Sequence, residues 1–126
     1  AKFMFVNAHS LEGQRITEFI LNLSEMIRFC GLRFNGIETQ DGEKISGFQL
    51  ENEIYNVHSV FGEEHFSINL EIKNDEIDIP AFVVSVNNML AKKRATHRIV
   101  RFTPDGPVYC LLCTGYTEYK ISERFI

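Results

Sequence analysis

The sequence predicts a single α+β domain over residues 1–126, with a mostly antiparallel sheet, a long N-terminal helix and a second helix packed on one side. The 126 residues, 44% of them hydrophobic, suffice for one buried core. An apolar repeat with helical period lies near the N-terminus, and residues 65–73 alternate between apolar and polar side chains. Since an alternating strand has one buried and one solvated face, the sheet is expected to be antiparallel.

The first predicted elements are a short strand over 2–6 and an amphipathic helix over 11–30. Ser10 is a natural N-cap for this helix, and Glu12 suits the positive end of the helix dipole. Gly31 follows the last apolar residue of the repeat, where a left-handed C-terminal cap is expected. These signals predict both ends of the long helix.

The middle of the chain has the composition of β-structure. Asn35-Gly36 and Asp41-Gly42 are typical of tight turns, and Gly62-Glu63-Glu64 is typical of a further turn. The segments between the turns predict strands at about 36–40, 43–50, 52–60 and 65–73.

Residues 79–94 have strand composition at Phe82–Val86 but apolar spacing of helical period. Asp78 and Pro80 lie where a helix would begin, and the cations of 92–94 would offset the negative end of its dipole. We therefore expect a second helix here.

The remainder is predicted as β, with a turn at Pro104-Asp105-Gly106 and strands at about 96–103, 107–114 and 116–125. We detect no internal repeat, low-complexity segment or linker.

The three cysteines indicate reduced thiols in a cytoplasmic protein, because a disulfide framework normally has an even number. Cys110 and Cys113 are three apart on a predicted strand, so their side chains should lie on opposite faces. The chain has no second cysteine pair for zinc, and its histidines lack the spacing of metal ligands. No metal or cofactor is expected.

Acidic residues are concentrated between 32 and 80, where eleven anions face three cations, although the whole chain carries a net charge of −4. Residues 81–126 carry seven cations and three anions. A surface of one sign speeds encounter with a partner of opposite sign. We therefore expect a docking face for a basic protein, formed by Glu51, Glu53, Glu63, Glu64, Glu71, Asp75, Glu76 and Asp78.

The favoured function is that of an inhibitor or immunity protein that neutralises a basic toxin, such as a nuclease, by masking it. Nucleases need basic clefts, so an inhibitor benefits from acidic complementarity. An enzyme is less favoured, because the chain has no nucleophile elbow, phosphate-binding loop or dinucleotide fingerprint. Its size, acidity and order of elements are similar to those of secretion-type chaperones, but the helix expected at their C-terminus is predicted here as a strand.

Two alternatives stay open. The first is a small-molecule-binding or enzymatic domain with a pocket between sheet and helices, near His58 or His65. The second is a nucleic-acid binder that uses the cations of 92–101, although a pI of 5.5 counts against it. Those cations are Lys92, Lys93, Arg94, Arg98 and Arg101. No membrane contact is expected, because no apolar run approaches the roughly 18–20 residues of a spanning helix.

Overall fold

The computed structural model describes residues 2–8, 16–39, 54–73, 76–105, 108–116 and 119–120. In chain order, its elements are β1 (Lys2–Asn7), α1 (Ile16–Ile27), β2 (Leu32–Thr39), β3 (Ile54–Phe61), β4 (Glu64–Lys73), β5 (Glu76–Ile77), α2 (Ile79–Lys92), β6 (His97–Asp105) and β7 (Val108–Gly115). The α+β class is confirmed.

The strands form two antiparallel sheets rather than the one sheet that was expected. The first sheet has the order β1-β7-β6, and the second has the order β2-β3-β4-β5. The Ile77 N–H donates to the Ala8 carbonyl at 3.2 Å, so β5 adjoins the end of β1. Helix α1 packs on β2 and β1, and α2 packs on β4 and β6, so each helix bridges both sheets. Alternation within a strand specifies its two faces but not how many sheets the strands form.

The described part of the first helix is shorter than the range predicted for it. Helix α1 covers 12 residues and continues as a 3₁₀ turn, Arg28–Cys30. Gly31 has φ 91°, which confirms the left-handed cap at this end. Residues 9–15, which include the predicted N-cap Ser10 and Glu12, lie outside the described residues. The long N-terminal helix is therefore not confirmed.

The predicted turn at Asn35-Gly36 is wrong, because both residues lie inside β2. The register between β2 and β3 shifts between Phe34 and Gly36, which marks a β-bulge. A bulge accommodates glycine as a turn does, so the dipeptide is typical of both. Asp41-Gly42 and the predicted strand 43–50 lie outside the described residues.

The second helix begins as predicted. Asp78 accepts a hydrogen bond from the Ala81 N–H at 3.1 Å, and Pro80 occupies the first turn. Strand β4 alternates as expected, with buried Ile68 and Leu70 on its core face. Among the described residues, no helix combines the length and the apolar composition needed to cross a membrane.

The C-terminal predictions need two corrections. Pro104 and Asp105 belong to β6 rather than to a turn, since Asp105 still pairs with Val108. The predicted strand 116–125 is wrong where it is described, because Tyr116, Tyr119 and Lys120 have helical backbone.

The described elements fall into two successive units of similar order. Strands β1, β2 and β3 with α1 have the order β-α-β-β, and β4, β6 and β7 with α2 follow the same order apart from the two-residue β5, which lies between β4 and α2. Strands β2-β3-β4 are hydrogen-bonded neighbours in one sheet, and β6-β7-β1 in the other. The two units therefore exchange their first strands, so neither sheet belongs to one half of the chain.

Each position of α1 corresponds to the position of α2 that lies 63 residues later in the chain. Ile16 thus corresponds to Ile79, and these are the first described residues of the two helices. The equivalent phenylalanines, Phe19 and Phe82, are buried and contact each other, with ring centroids 6.0 Å apart. Other equivalent pairs are buried Leu23 with Val86, buried Ile27 with Leu90, exposed Leu21 with Val84, and Gly31 with Arg94, which both have positive φ. The core thus lies where the two units meet.

Candidate functional site

A cavity of about 800 Å³ borders β2, which is the edge strand of its sheet among the described residues. It is lined from α1 by Thr17, Ile20 and Leu21, from β2 by residues 34–38, and from β3 and β4 by His58, Ser59, His65, Phe66 and Ser67. Helix α1 lies on the core side of β2, whereas His58 and Ser67 lie on the other face of the sheet. The cavity therefore reaches around the strand edge, and its volume is typical of ligand sites.

The polar wall of the cavity comes from the outer face of the four-stranded sheet. Gly36, His58 and Ser67 are cross-strand neighbours, so they lie in one row across β2, β3 and β4. The His58 Nε2 contacts the Glu38 carboxylate, which orients the imidazole. Gly36 has no side chain above this row, and a Cβ there would lie 3.9 Å from the His58 ring. The bulge thus leaves space beside a histidine–carboxylate pair.

The apolar wall comes from α1 and the core side of β2. Leu21 is 61% exposed, although it is a large aliphatic residue on a helix that buries its other face. Phe34 is buried and contacts the ring of Phe82, with the centroids 6.0 Å apart. Apolar and hydrogen-bonding groups therefore meet at the same edge, which suits a ligand that has both.

The edge strands β2 and β6 differ in how many of their backbone groups form hydrogen bonds with helix side chains. At β6, the Asn87 amide donates to the Ile99 carbonyl at 2.9 Å and accepts from the Ile99 N–H at 2.8 Å. At β2, the equivalent residue is Ser24, whose hydroxyl accepts from the Phe34 N–H at 3.2 Å. Asn87 thus makes both of the hydrogen bonds that a neighbouring strand would make to the backbone of Ile99. Ser24 makes only one such bond, to the backbone of Phe34. Closing an edge in this way protects it from pairing with another chain.

The acidic residues predicted to bind a partner lie at both ends of the four-stranded sheet. Glu63, in the turn between β3 and β4, and Glu64, the first residue of β4, are both exposed. The Glu64 carboxylate contacts the Lys93 ammonium, so an acidic residue meets the basic stretch here. The charge segregation along the sequence is therefore not kept in space at this point.

The remaining described acids lie at the far end of β4. Glu71 is 3.6 Å from the Lys73 ammonium, and Glu76 lies in β5. Asp78 caps α2, which gives its carboxylate a structural role. Glu51, Glu53 and Asp75 lie outside the described residues.

The residues of the nucleic-acid alternative do not form one surface. Lys93 contacts Glu64 and lies over the Phe66 ring, 5.9 Å from its centroid. Arg98 is buried, and it donates to the Ala95 and His97 carbonyls at 2.8 and 2.7 Å.

The other three cations of that set are Lys92 and Arg94, which are exposed, and Arg101, which is half-buried. Arg101 lies on the face of β6 opposite to Arg98.

Two cysteines from different halves of the chain lie side by side. The Sγ atoms of Cys30, at the end of the 3₁₀ turn, and Cys113, in β7, are 3.7 Å apart. The hydrogen bond with Cys113 lowers the pKa of Cys30, burial opposes this shift, and the positive charge of Arg98 adds to it. Cys110 lies on the other face of β7, as the spacing predicted. Within the described ranges, no three His, Cys, Asp or Glu side chains converge to hold a metal ion.

A second exposed surface is the outer face of the three-stranded sheet. Phe3 and Phe5 are exposed on β1, and their rings contact edge to face with centroids 5.9 Å apart. Phe102 is exposed on β6, two strands away on the same face. This aromatic face is separate from the cavity.

Comparison of the chain with protein-family models, with curated proteins and with solved structures finds no match.

The small-molecule alternative placed a pocket near His58 or His65, and both residues line the cavity. It missed Glu38, Leu21 and the bulge at Gly36. Leu21 is part of an ordinary helical repeat, and only its exposure in the folded chain distinguishes it. The spacing of Gly36 and Glu38 in the sequence does not by itself indicate a binding site. Only the strand register shows that both residues lie beside His58.

Proposed function

We propose that this chain is a protein-binding protein that takes up an extended segment of its partner along the edge of β2. The observation that carries the proposal is the cavity, which is lined by five consecutive residues of that strand. Because consecutive residues line it, backbone groups as well as side chains border the site. Addition of a strand to a sheet edge uses backbone hydrogen bonds for affinity and side-chain pockets for specificity.

The difference between the edges of β2 and β6 supports an extended peptide segment as the ligand. The equivalent edge, β6, is occupied at Ile99 by the Asn87 amide. Among the described residues, the β2 edge has the contact from Ser24 to the Phe34 N–H and a cavity beside it. Leu21 would cover an apolar side chain of the bound segment, and the His58–Glu38 pair would meet its polar groups.

The test uses a random 12-residue peptide library displayed on phage and selected on the folded protein. Leu21→Glu should weaken the selected peptides at least tenfold, because burial of a leucine contributes about 1.5–3 kcal/mol. Val84→Glu is the matched control, since Val84 is the equivalent helix residue, is also exposed and does not line the cavity. Equal affinity for wild type and Leu21→Glu would remove the cavity from the proposal.

A second candidate is the masking of a basic toxin by the acidic residues. The observation that favours it is the exposure of Glu63 at the tip of the β3–β4 hairpin. A charge at such a tip acts on association rates, because steering depends on charges that a partner meets first. On this account, the hairpin tip approaches the basic cleft of the partner.

Glu63→Lys should slow association with a basic partner several-fold and leave folding intact. The partner would first be captured from a lysate of the source cells at low and at moderate salt, and then used in association kinetics. Glu25→Lys is the control, because Glu25 is an exposed acid of α1 outside the acidic set. Recovery of nucleic acid alone, or identical association rates for both variants, would contradict the masking role.

A further inference from the structure

We propose that Cys30 and Cys113 are a redox-active thiol pair that a peroxide oxidises to a reversible disulfide joining the two halves of the fold. The geometry is the first support. The two Sγ atoms are 3.7 Å apart, and a disulfide needs about 2.05 Å, so closure requires a movement of under 2 Å. Cys30 ends a 3₁₀ turn, whereas Cys113 lies in a central strand that has a neighbour on each side. Cys30 is therefore the residue that moves when the disulfide forms.

The two thiols differ in access, as an attacking and a resolving cysteine do. Cys30 is partly exposed, and Cys113 is fully buried. A peroxide therefore reaches Cys30 first, and the only cysteine within contact of that sulfur is Cys113. Redox-sensing thiols combine solvent access, thiolate character and a nearby resolving cysteine.

The surroundings favour the thiolate form of Cys30. The Cys113 thiol donates its hydrogen bond to that sulfur when Cys30 is ionised, which lowers the pKa of Cys30. Partial burial raises the pKa, and the guanidinium of Arg98 lowers it. Arg98 is held in place by the Ala95 and His97 carbonyls and by the ring of Tyr116, 5.0 Å from its Cζ. The cation is thus a fixed part of the site.

The reaction balances with hydrogen peroxide as the oxidant. The Cys30 thiolate attacks one peroxide oxygen, the O–O bond breaks, and the departing hydroxide takes a proton to form water. Cys30 is then a sulfenic acid. The Cys113 sulfur attacks the Cys30 sulfur, the S–O bond breaks, and the departing hydroxide takes the Cys113 proton to form a second water. Two thiols and one peroxide give one disulfide and two waters.

The disulfide would link the end of α1 to the three-stranded sheet, and so the first unit to the second. Its two ends are 83 positions apart in the sequence. A cross-link over a long segment restricts the unfolded chain strongly, so the oxidised protein should be the more stable form. Oxidation would then tighten the contact between the halves without adding a new surface.

The test treats the reduced 126-residue protein with equimolar hydrogen peroxide and counts thiols with a maleimide. Three free thiols should fall to one, the mass should drop by about 2 Da, and a peptide map should join Cys30 to Cys113. The melting temperature should rise by several degrees and return after treatment with dithiothreitol.

Cys110 is the internal control, because it lies on the opposite face of β7. Cys110→Ser should still lose two thiols on oxidation, and Cys30→Ser should lose none to an intramolecular disulfide. Three thiols remaining after treatment, a cross-link that contains Cys110, or oxidation of Cys30 to a sulfinic acid without a cross-link would each overturn the proposal.

Discussion

The side chains of Ser24 and Asn87 determine which backbone groups along the edges of β2 and β6 are hydrogen-bonded by a helix. They occupy equivalent positions on α1 and α2, and each bonds to the backbone of the strand that follows its helix. Serine offers one hydroxyl, whereas the asparagine amide both donates and accepts. Within the described part of the chain, a difference of one residue type therefore gives β6 two such bonds at Ile99 and β2 one at Phe34.

Asn87→Ala should destabilise the protein by about 1–3 kcal/mol, because it removes two hydrogen bonds to partly buried backbone groups. Ser24→Ala removes one such bond and should cost about 0.5–1.5 kcal/mol. Urea denaturation monitored by circular dichroism measures both changes.

Asn88→Ala is the matched control, because Asn88 is the exposed neighbour of Asn87 on the same helix. Its effect should stay within about 0.5 kcal/mol. If Asn87→Ala costs no more than Asn88→Ala, the amide does not hold the edge of β6.

At the scale of elements, the sequence predicted best those helices and strands whose signals are local. Asp78 and Pro80 mark the start of α2 by chemistry that acts within one turn, and the alternation of His65–Lys73 is a property of one strand. Both predictions are confirmed.

The wrong predictions of individual elements arise where one local sequence pattern is typical of two different structures. Asn35-Gly36 is typical of a turn but lies in a bulge, because its pairing with His58 is set by a distant strand. The segment after Gly115 has strand composition, and yet Tyr116 has helical backbone. β5 is two residues long, too short for any pattern.

The candidate site was predictable only in part for the same reason. The small-molecule alternative expected a pocket near His58 or His65, but the wall opposite His58 belongs to α1, a helix nearly forty residues earlier in the sequence. The Cys30–Cys113 contact likewise joins two halves of the fold. Contacts between distant segments have no local signature, and without a detected repeat nothing in the sequence related the two helices.

At the scale of the whole molecule, the exchange of first strands makes each half dependent on the other. Strand β1 pairs with β7, and β4 pairs with β3, so both first strands find their neighbours in the opposite unit. The helices then meet through Phe19 and Phe82. This arrangement predicts one cooperative unfolding transition rather than two.

Fragments 1–62 and 63–126 should therefore each be unfolded when they are made separately, because each lacks a neighbour for one strand and half of the core. Mixing them should restore the circular dichroism spectrum of the intact chain. A protease site inserted at the turn Gly62-Glu63 provides the control, since cleavage of the folded protein there should leave the two fragments associated. A fragment that folds alone with its own cooperative transition would contradict the exchange.

The most direct test of the proposed function is an NMR titration of the ¹⁵N-labelled protein with the tightest peptide selected from the phage library. We expect the largest amide shifts on α1 around Leu21 and on β2 at Gly36 and Glu38, with new protection of β2 amides from hydrogen exchange. The amides of α2 around Val84 should change little. Shifts confined to the aromatic face around Phe3, or to the acidic tip at the β3–β4 turn, would contradict the assignment of the binding site to the β2 edge.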